Sequence, residues 1–214
     1  AVSWLGALPA NWEAVKGKYL FTICAGYAPD SLDFSDEELD YFKVDDLNRD
    51  SGNMFLEGAS TAVAMQPNLV IPKAPFIVFP KRGAAIATNK VRIVQTEAIF
   101  DTNLMAVKTN AKIQIKYLAY SLLARGLWDM ADISTVPQIN NKHINPMIFP
   151  LPSILAQRAL TRFLDYTPPQ LDALIAKREA LLDKLAEKRT ALITQAVTKG
   201  LDAHAPMKDS RVPW

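Results

Sequence analysis

Apolar and polar positions come in short bursts over the first two thirds of the chain and settle into a helical period after that. Runs rich in β-branched and aromatic residues occupy 19–23, 41–44, 75–79, 84–88, 91–94 and 104–107. Pro, Gly, Asn and Asp breakers separate them, among them Asp50-Ser51-Gly52-Asn53 and Lys81-Arg82-Gly83, so each run is expected to be a strand. One stretch, 111–124, has helical periodicity and meets a stop at Arg125-Gly126. Short strands separated by a few residues around one main helix predict an α+β domain with a mixed or antiparallel sheet.

Past Phe149-Pro150-Leu151-Pro152 the texture changes. Ser153 can cap a short helix over 154–164. Thr167-Pro168-Pro169-Gln170 then has the form of a capping box with a proline-primed first turn, which predicts a second helix over about 169–198. Lys199-Gly200 supplies a basic last turn and a glycine stop. The second helix would be about 43 Å long at 1.5 Å per residue. Its apolar residues, Leu171, Leu174, Ile175, Leu181, Leu182, Leu185, Leu192, Ile193, Ala196 and Val197, fall on one broad stripe with spacings of three and four. A domain of about 150 residues is too narrow to bury such a stripe, so the helix is expected to project and pair with another long helix as a coiled coil. The expected organisation is a globular domain over 1–150 and a helical region over 151–214.

The composition of the 214 residues narrows the chemistry. Cys24 is the only cysteine, which excludes an intramolecular disulfide and a multi-thiolate site and suits a reducing compartment. Cys24 itself lies in an apolar run and reads as core. Without an 18-residue apolar run or a signal-peptide pattern, neither membrane insertion nor secretion is expected, and the cytoplasm is the expected location. The only histidines, His143 and His204, stand at no metal-ligand spacing. No P-loop, G-x-S-x-G or G-x-G-x-x-G occurs. Asn145-Pro146-Met147 lacks the second proline and the aromatic of a methyltransferase turn. Asp30, Asp33, Asp36, Glu37, Glu38 and Asp40 fit no EF-hand spacing and read as a solvated acidic loop. No enzyme is expected. The chain has no initiator Met, and its start, Trp4-Leu5-Gly6-Ala7-Leu8-Pro9, is echoed at its end by Val212-Pro213-Trp214, so it is expected to be one unit cut from a longer repeat.

The formal charge of +2 hides an asymmetry: −7 over residues 1–60, +6 over 61–150 and +3 over 151–214. The basic centre includes Lys81, Arg82, Lys90 and Arg92, with no acid between Lys73 and Gln95. Lys and Arg neutralise phosphates, Arg reads guanine through two parallel hydrogen bonds, and Asn and Thr read other base edges. The candidate DNA contacts are therefore Lys81, Arg82, Thr88, Asn89, Lys90 and Arg92, with Asn48, Arg49 and Ser51 as a second loop. The same residues also fit a hairpin kept soluble by edge charges. Residue chemistry alone leaves both open, and a coiled-coil scaffold whose globular head binds protein remains the alternative.

Several segments, in order and nearly end to end, resemble the specificity subunits of type I restriction–modification systems. They are Trp4-Leu5-Gly6-Ala7-Leu8-Pro9 with Asn11-Trp12-Glu13, Pro80-Lys81-Arg82-Gly83 followed by Thr88-Asn89-Lys90 and Asp101-Thr102-Asn103, and Pro150-Leu151-Pro152 leading through Gln157 to Arg162-Phe163-Leu164-Asp165. Arg189 through Asp202, with Met207-Lys208-Asp209-Ser210 and Val212-Pro213-Trp214, completes the set. The resemblance implies a target-recognition domain over 1–150 that reads one half of a bipartite double-stranded DNA site, and a conserved helical region over 151–214. It implies antiparallel helix pairing that sets the half-site distance. It also implies docking to modification (methyltransferase) subunits, which use S-adenosylmethionine, and to motor-nuclease subunits, which use ATP and Mg2+; no cofactor is expected on this chain. Many members have Glu before the glutamine of the short helix, where this chain has Ala156. Alone, the chain is expected to form a homodimer through its long helix.

Overall fold

The computed structural model describes residues 4–49, 53–132, 135–202, 204, 206–209 and 211. They divide into two compact units, Ala1–Arg162 and Phe163–Trp214.

The first unit is α+β. Its strands are β1 (Glu13–Lys16), β2 (Phe21–Cys24), β3 (Leu39–Phe42), β4 (Phe55–Leu56), β5 (Ala62–Val63), β6 (Phe76–Pro80), β7 (Arg92–Val94), β8 (Ala98–Phe100), β9 (Leu104–Thr109) and β10 (Ile148–Leu151). Helix α1 spans Ile115–Arg125 and the single turn α2 spans Asn141–Ile144. Five strands form one sheet in the order β2-β9-β6-β7-β4, antiparallel except where β4 joins β7. A second sheet, β5-β3-β8, pairs β3 with β8 in parallel. A separate ribbon sets β1 against β10, Val15 opposite Phe149.

Side-chain alternation on β6 explains how these parts stack. Ile77 and Phe79 pack in one cluster with Leu118 and Leu122 of α1, while Phe76 and Val78 pack in another with Phe42 and Phe100 of the smaller sheet. The larger sheet is thus covered on both faces, which is why β6 is an unbroken apolar run. The smaller sheet repeats the pattern: Tyr41 and Ile99, alternating with Phe42 and Phe100, fill a third cluster on its far face.

Two expectations need correction. Residues 84–88 are not a strand but part of a 3-10 turn, Gly83–Thr88. Only Ile86 of that segment is buried, and the turn is bounded by positive φ at Gly83 (+71°) and Asn89 (+50°), so alternation never develops. The two predicted helices at 154–164 and 169–198 are one helix, α3 (Ile154–Lys199), with Pro168 and Pro169 inside it. The prolines deprive the Leu164 and Asp165 carbonyls of their usual N–H partners. Helix formers without glycine on either side nonetheless keep the backbone helical, and Thr167 lies within α3 instead of capping it. The expected ends hold: Ser153 Oγ accepts the Ala156 N–H at 3.3 Å, and Gly200 (φ +77°) follows the last turn.

In the second unit the apolar stripe lies open. Leu171, Leu174, Ile175, Leu181, Leu182, Leu185, Leu192, Ile193 and Val197 are all exposed.

Candidate nucleic-acid interface

At one end of the larger sheet, β6 finishes at Pro80 opposite Leu104, the first residue of β9. The chain beyond Pro80 is fastened on both sides. Lys81 N–H donates to the Asn103 carbonyl at 2.9 Å, and the Lys81 carbonyl accepts Ile139 N–H at 2.8 Å. Gly83 N–H donates to the Pro137 carbonyl at 2.8 Å, and Arg82 forms an antiparallel bridge with Gln138. Segments 81–83, 101–103 and 137–139 therefore meet at one place. The last of these has neither basic residues nor a strand signature, so nothing in the sequence links it to the basic turn.

Asp101 organises the charges there. Its buried carboxylate accepts hydrogen bonds from the Asn103 N–H and, at 3.1 Å, from the Tyr41 hydroxyl. Burial lowers the pKa of Lys81, Arg82 lowers it further and Asp101 works in the opposite direction. Arg82 is exposed, with its backbone extended (φ −140°, ψ +140°). Its guanidinium makes no hydrogen bond among the described residues, so this planar fork is available to a ligand.

The other candidate residues divide sharply. Lys90 Nζ donates to Asn48 Oδ1 at 2.6 Å, which joins the two loops that the sequence marks separately. Arg49 is exposed, yet it pairs with buried Asp46 at 2.9 Å and donates to the Gly58 carbonyl. Thr88 is exposed, with its hydroxyl donating to the Ala85 carbonyl at 2.7 Å. Ser51 lies outside the described residues.

Asn89 and Arg92 do not belong to an open reading surface. Asn89 uses both ends of its amide internally: Nδ2 donates to the Leu123 carbonyl at 3.0 Å and Oδ1 accepts Leu127 N–H at 2.9 Å. It fastens the 3-10 turn to the end of α1. Arg92 sits in β7 opposite Val78, is only 7% exposed and donates to the Val91 carbonyl at 3.3 Å. A central strand position withdraws it from the surface.

Within the acidic segment, Asp33 and Asp36 are exposed and bond locally, accepting Ser35 N–H and Glu37 N–H, each at 2.8 Å. Glu38 instead accepts Met65 N–H at 2.8 Å, and half-buried Asp40, in β3, accepts Ala59 N–H at 3.1 Å. Hydrogen bonding from the Ser35 side chain, and then from its N–H, lowers the Asp33 pKa. Cys24 packs against the second cluster, and burial raises its thiol pKa against the pull of Lys108. Among the described residues no group of acidic, His and Cys side chains could hold a metal ion, and no helix is long and apolar enough to cross a membrane.

No family model matches the sequence. Solved structures do share the fold. A chain from a study of complex assembly and conformational transition of the type I restriction–modification system superposes with a TM-score of 0.69 at 18% identity, over 92% of this chain and 48% of that one. The HsdS subunit from Thermoanaerobacter tengcongensis gives 0.63 at 18% identity, with the same coverage of 92% and 48%. The type I restriction–modification S subunit from M. genitalium gives 0.51 at 18% identity, over 90% and 49%. This chain has the fold of part of such a subunit and spans about half the length of those chains.

Proposed function

We propose that this chain is a non-catalytic DNA-recognition part of a type I restriction–modification specificity subunit, reading one half of a bipartite double-stranded target. Residues 1–150 are the reader. Residues 151–214 are the conserved helical region that spaces it from a second reader and helps to dock modification and motor-nuclease subunits. S-adenosylmethionine, ATP and Mg2+ serve those subunits, and the assembly works in the cytoplasm.

The observation that supports this most is the free guanidinium of Arg82 at the end of the sheet, beside Lys81 and in the same unit as the Lys90–Asn48 pair. An Arg fork on a fixed backbone suits the two acceptors of a guanine edge, and the amines suit phosphates. The contact set is Lys81, Arg82, Thr88, Lys90, Asn48, Arg49 and Ser51. Asn89 and Arg92 instead hold the scaffold that presents them.

Fluorescence anisotropy of the assembled modification complex on cognate and scrambled duplexes, across a salt series, tests the proposal. Arg82→Ala is expected to lose roughly tenfold or more of the preference at one base pair. Lys90→Ala is expected to weaken both duplexes alike and to reduce the salt slope by about one. Equal, small losses on both duplexes for every variant would refute base reading by this surface. Salt-independent behaviour with no DNA protection would favour the protein-binding scaffold.

A further inference from the structure

The bridge between Arg82 and Gln138 has a consequence for specificity. Residues directly opposed across an antiparallel bridge project their side chains to the same side, with Cβ atoms about 4.5–5.5 Å apart. Gln138 therefore stands beside the one guanidinium of the basic turn that is left free for a ligand. From this juxtaposition we infer that Gln138 is a specificity-determining residue, reading the base pair adjacent to that read by Arg82. The inference rests on the DNA-reading function proposed above and extends it to a segment with no basic residue.

Three observations carry it. The Gln138 side-chain amide is bonded to nothing among the described residues, unlike the amides of Asn89 and Asn48, which are committed to Leu123 and Leu127 and to Lys90. The backbone that bears Gln138 is fixed on every side. Its N–H donates to Asp132 Oδ1 at 2.9 Å, its carbonyl accepts Asp132 N–H at 3.0 Å, and the neighbouring Ile139 is fully buried. A base-reading side chain needs such a rigid support, because a loosely held one loses its discrimination. The chemistry then matches: a glutamine amide offers its N–H to adenine N7 and its carbonyl oxygen to the N6 amino group, whereas the arginine fork offers two N–H donors to guanine N7 and O6. Successive bases on one strand are stacked about 3.4 Å apart, so two long side chains rising from origins slightly farther apart can converge on neighbouring base pairs.

The test uses the assembled methyltransferase complex containing this chain and a duplex library randomised across the half-site, with bound sequences read by sequencing. Gln138→Ala is expected to reduce preference at one base pair by about tenfold or more, next to the position relaxed by Arg82→Ala, without altering the thermal melt. Gln138→Glu is expected to move that one position towards cytosine, whose amino group a carboxylate accepts from. A merely structural side chain would not redirect one base pair. An unchanged motif for both Gln138 variants, with Arg82→Ala still relaxing its own position, would overturn the inference and leave DNA reading intact. A parent complex that selects no sequence at all would overturn both.

Discussion

Gln157 couples two elements of the first unit through a single buried amide. Its Oε1 accepts Gln114 N–H at 2.7 Å, and its Nε2 donates to the Lys112 and Pro152 carbonyls at 3.1 and 3.0 Å. The start of α3 is thereby locked to the residues just before α1. The Ala156 side chain takes no part in this network. Gln157→Leu would remove the partner of the Gln114 N–H and of the Lys112 and buried Pro152 carbonyls, and is expected to destabilise the chain by roughly 2 kcal/mol in chemical denaturation. A second expectation concerns pH. Burial pushes the Tyr117 hydroxyl up to about 12, against a smaller opposing effect of Ser121, while its O–H donates to the Pro150 carbonyl at 3.1 Å. The unfolded chain ionises this group near 10.0 and the folded chain only near 12, so stability is retained below the lower value and lost as pH rises between them. Urea midpoints measured across that window are expected to fall, and Tyr117→Phe is expected to flatten the fall. At this scale the sequence was a partial guide. Residue type marked Arg82 and Lys90 as cations, but it did not distinguish the free fork of Arg82 from the buried guanidinium of Arg92. That difference is set by strand pairing with Val78 and is not encoded in local composition.

Elements were legible where their own periodicity dominates. β6 and β9 are apolar enough, and the α1 pattern regular enough, for residue order alone to place them. β4 and β5 have two residues each and β8 three, so they exist only through their partners; no local window could reveal them. Residues 84–88 were misleading for the opposite reason, since an apolar run need not alternate when a glycine and a left-handed asparagine close it into a turn. The prolines of α3 pose the same conflict, a local capping signature against helix-forming neighbours on both sides. Restoring the two N–H groups with Pro168→Ala and Pro169→Ala is expected to lengthen amide-exchange protection around 168–169. Helix stability should rise by on the order of 3 kcal/mol per proline. Unchanged exchange and circular dichroism in the double variant would show that the helix does not depend on those bonds.

The α+β class and the polarised charge of the whole molecule could be read from the sequence. The meeting of 81–83 with 137–139 could not, because it depends on a tertiary hydrogen-bond pattern between segments that share no motif. The exposed stripe of α3 leads to an expectation at this scale. Alone in solution at tens of micromolar, the chain is expected to sediment as a dimer that Leu181→Lys with Leu185→Lys returns to monomer. A parent chain that is already monomeric would contradict pairing through this helix. The central claim, that this fold reads half of a DNA site, is tested most directly by mapping methylated bases across the genome of cells that carry the assembled system. The parent is expected to give a bipartite motif, and Arg82→Ala the same motif relaxed at one position in one half. A parent motif without two parts, or one left identical by Arg82→Ala, would contradict it.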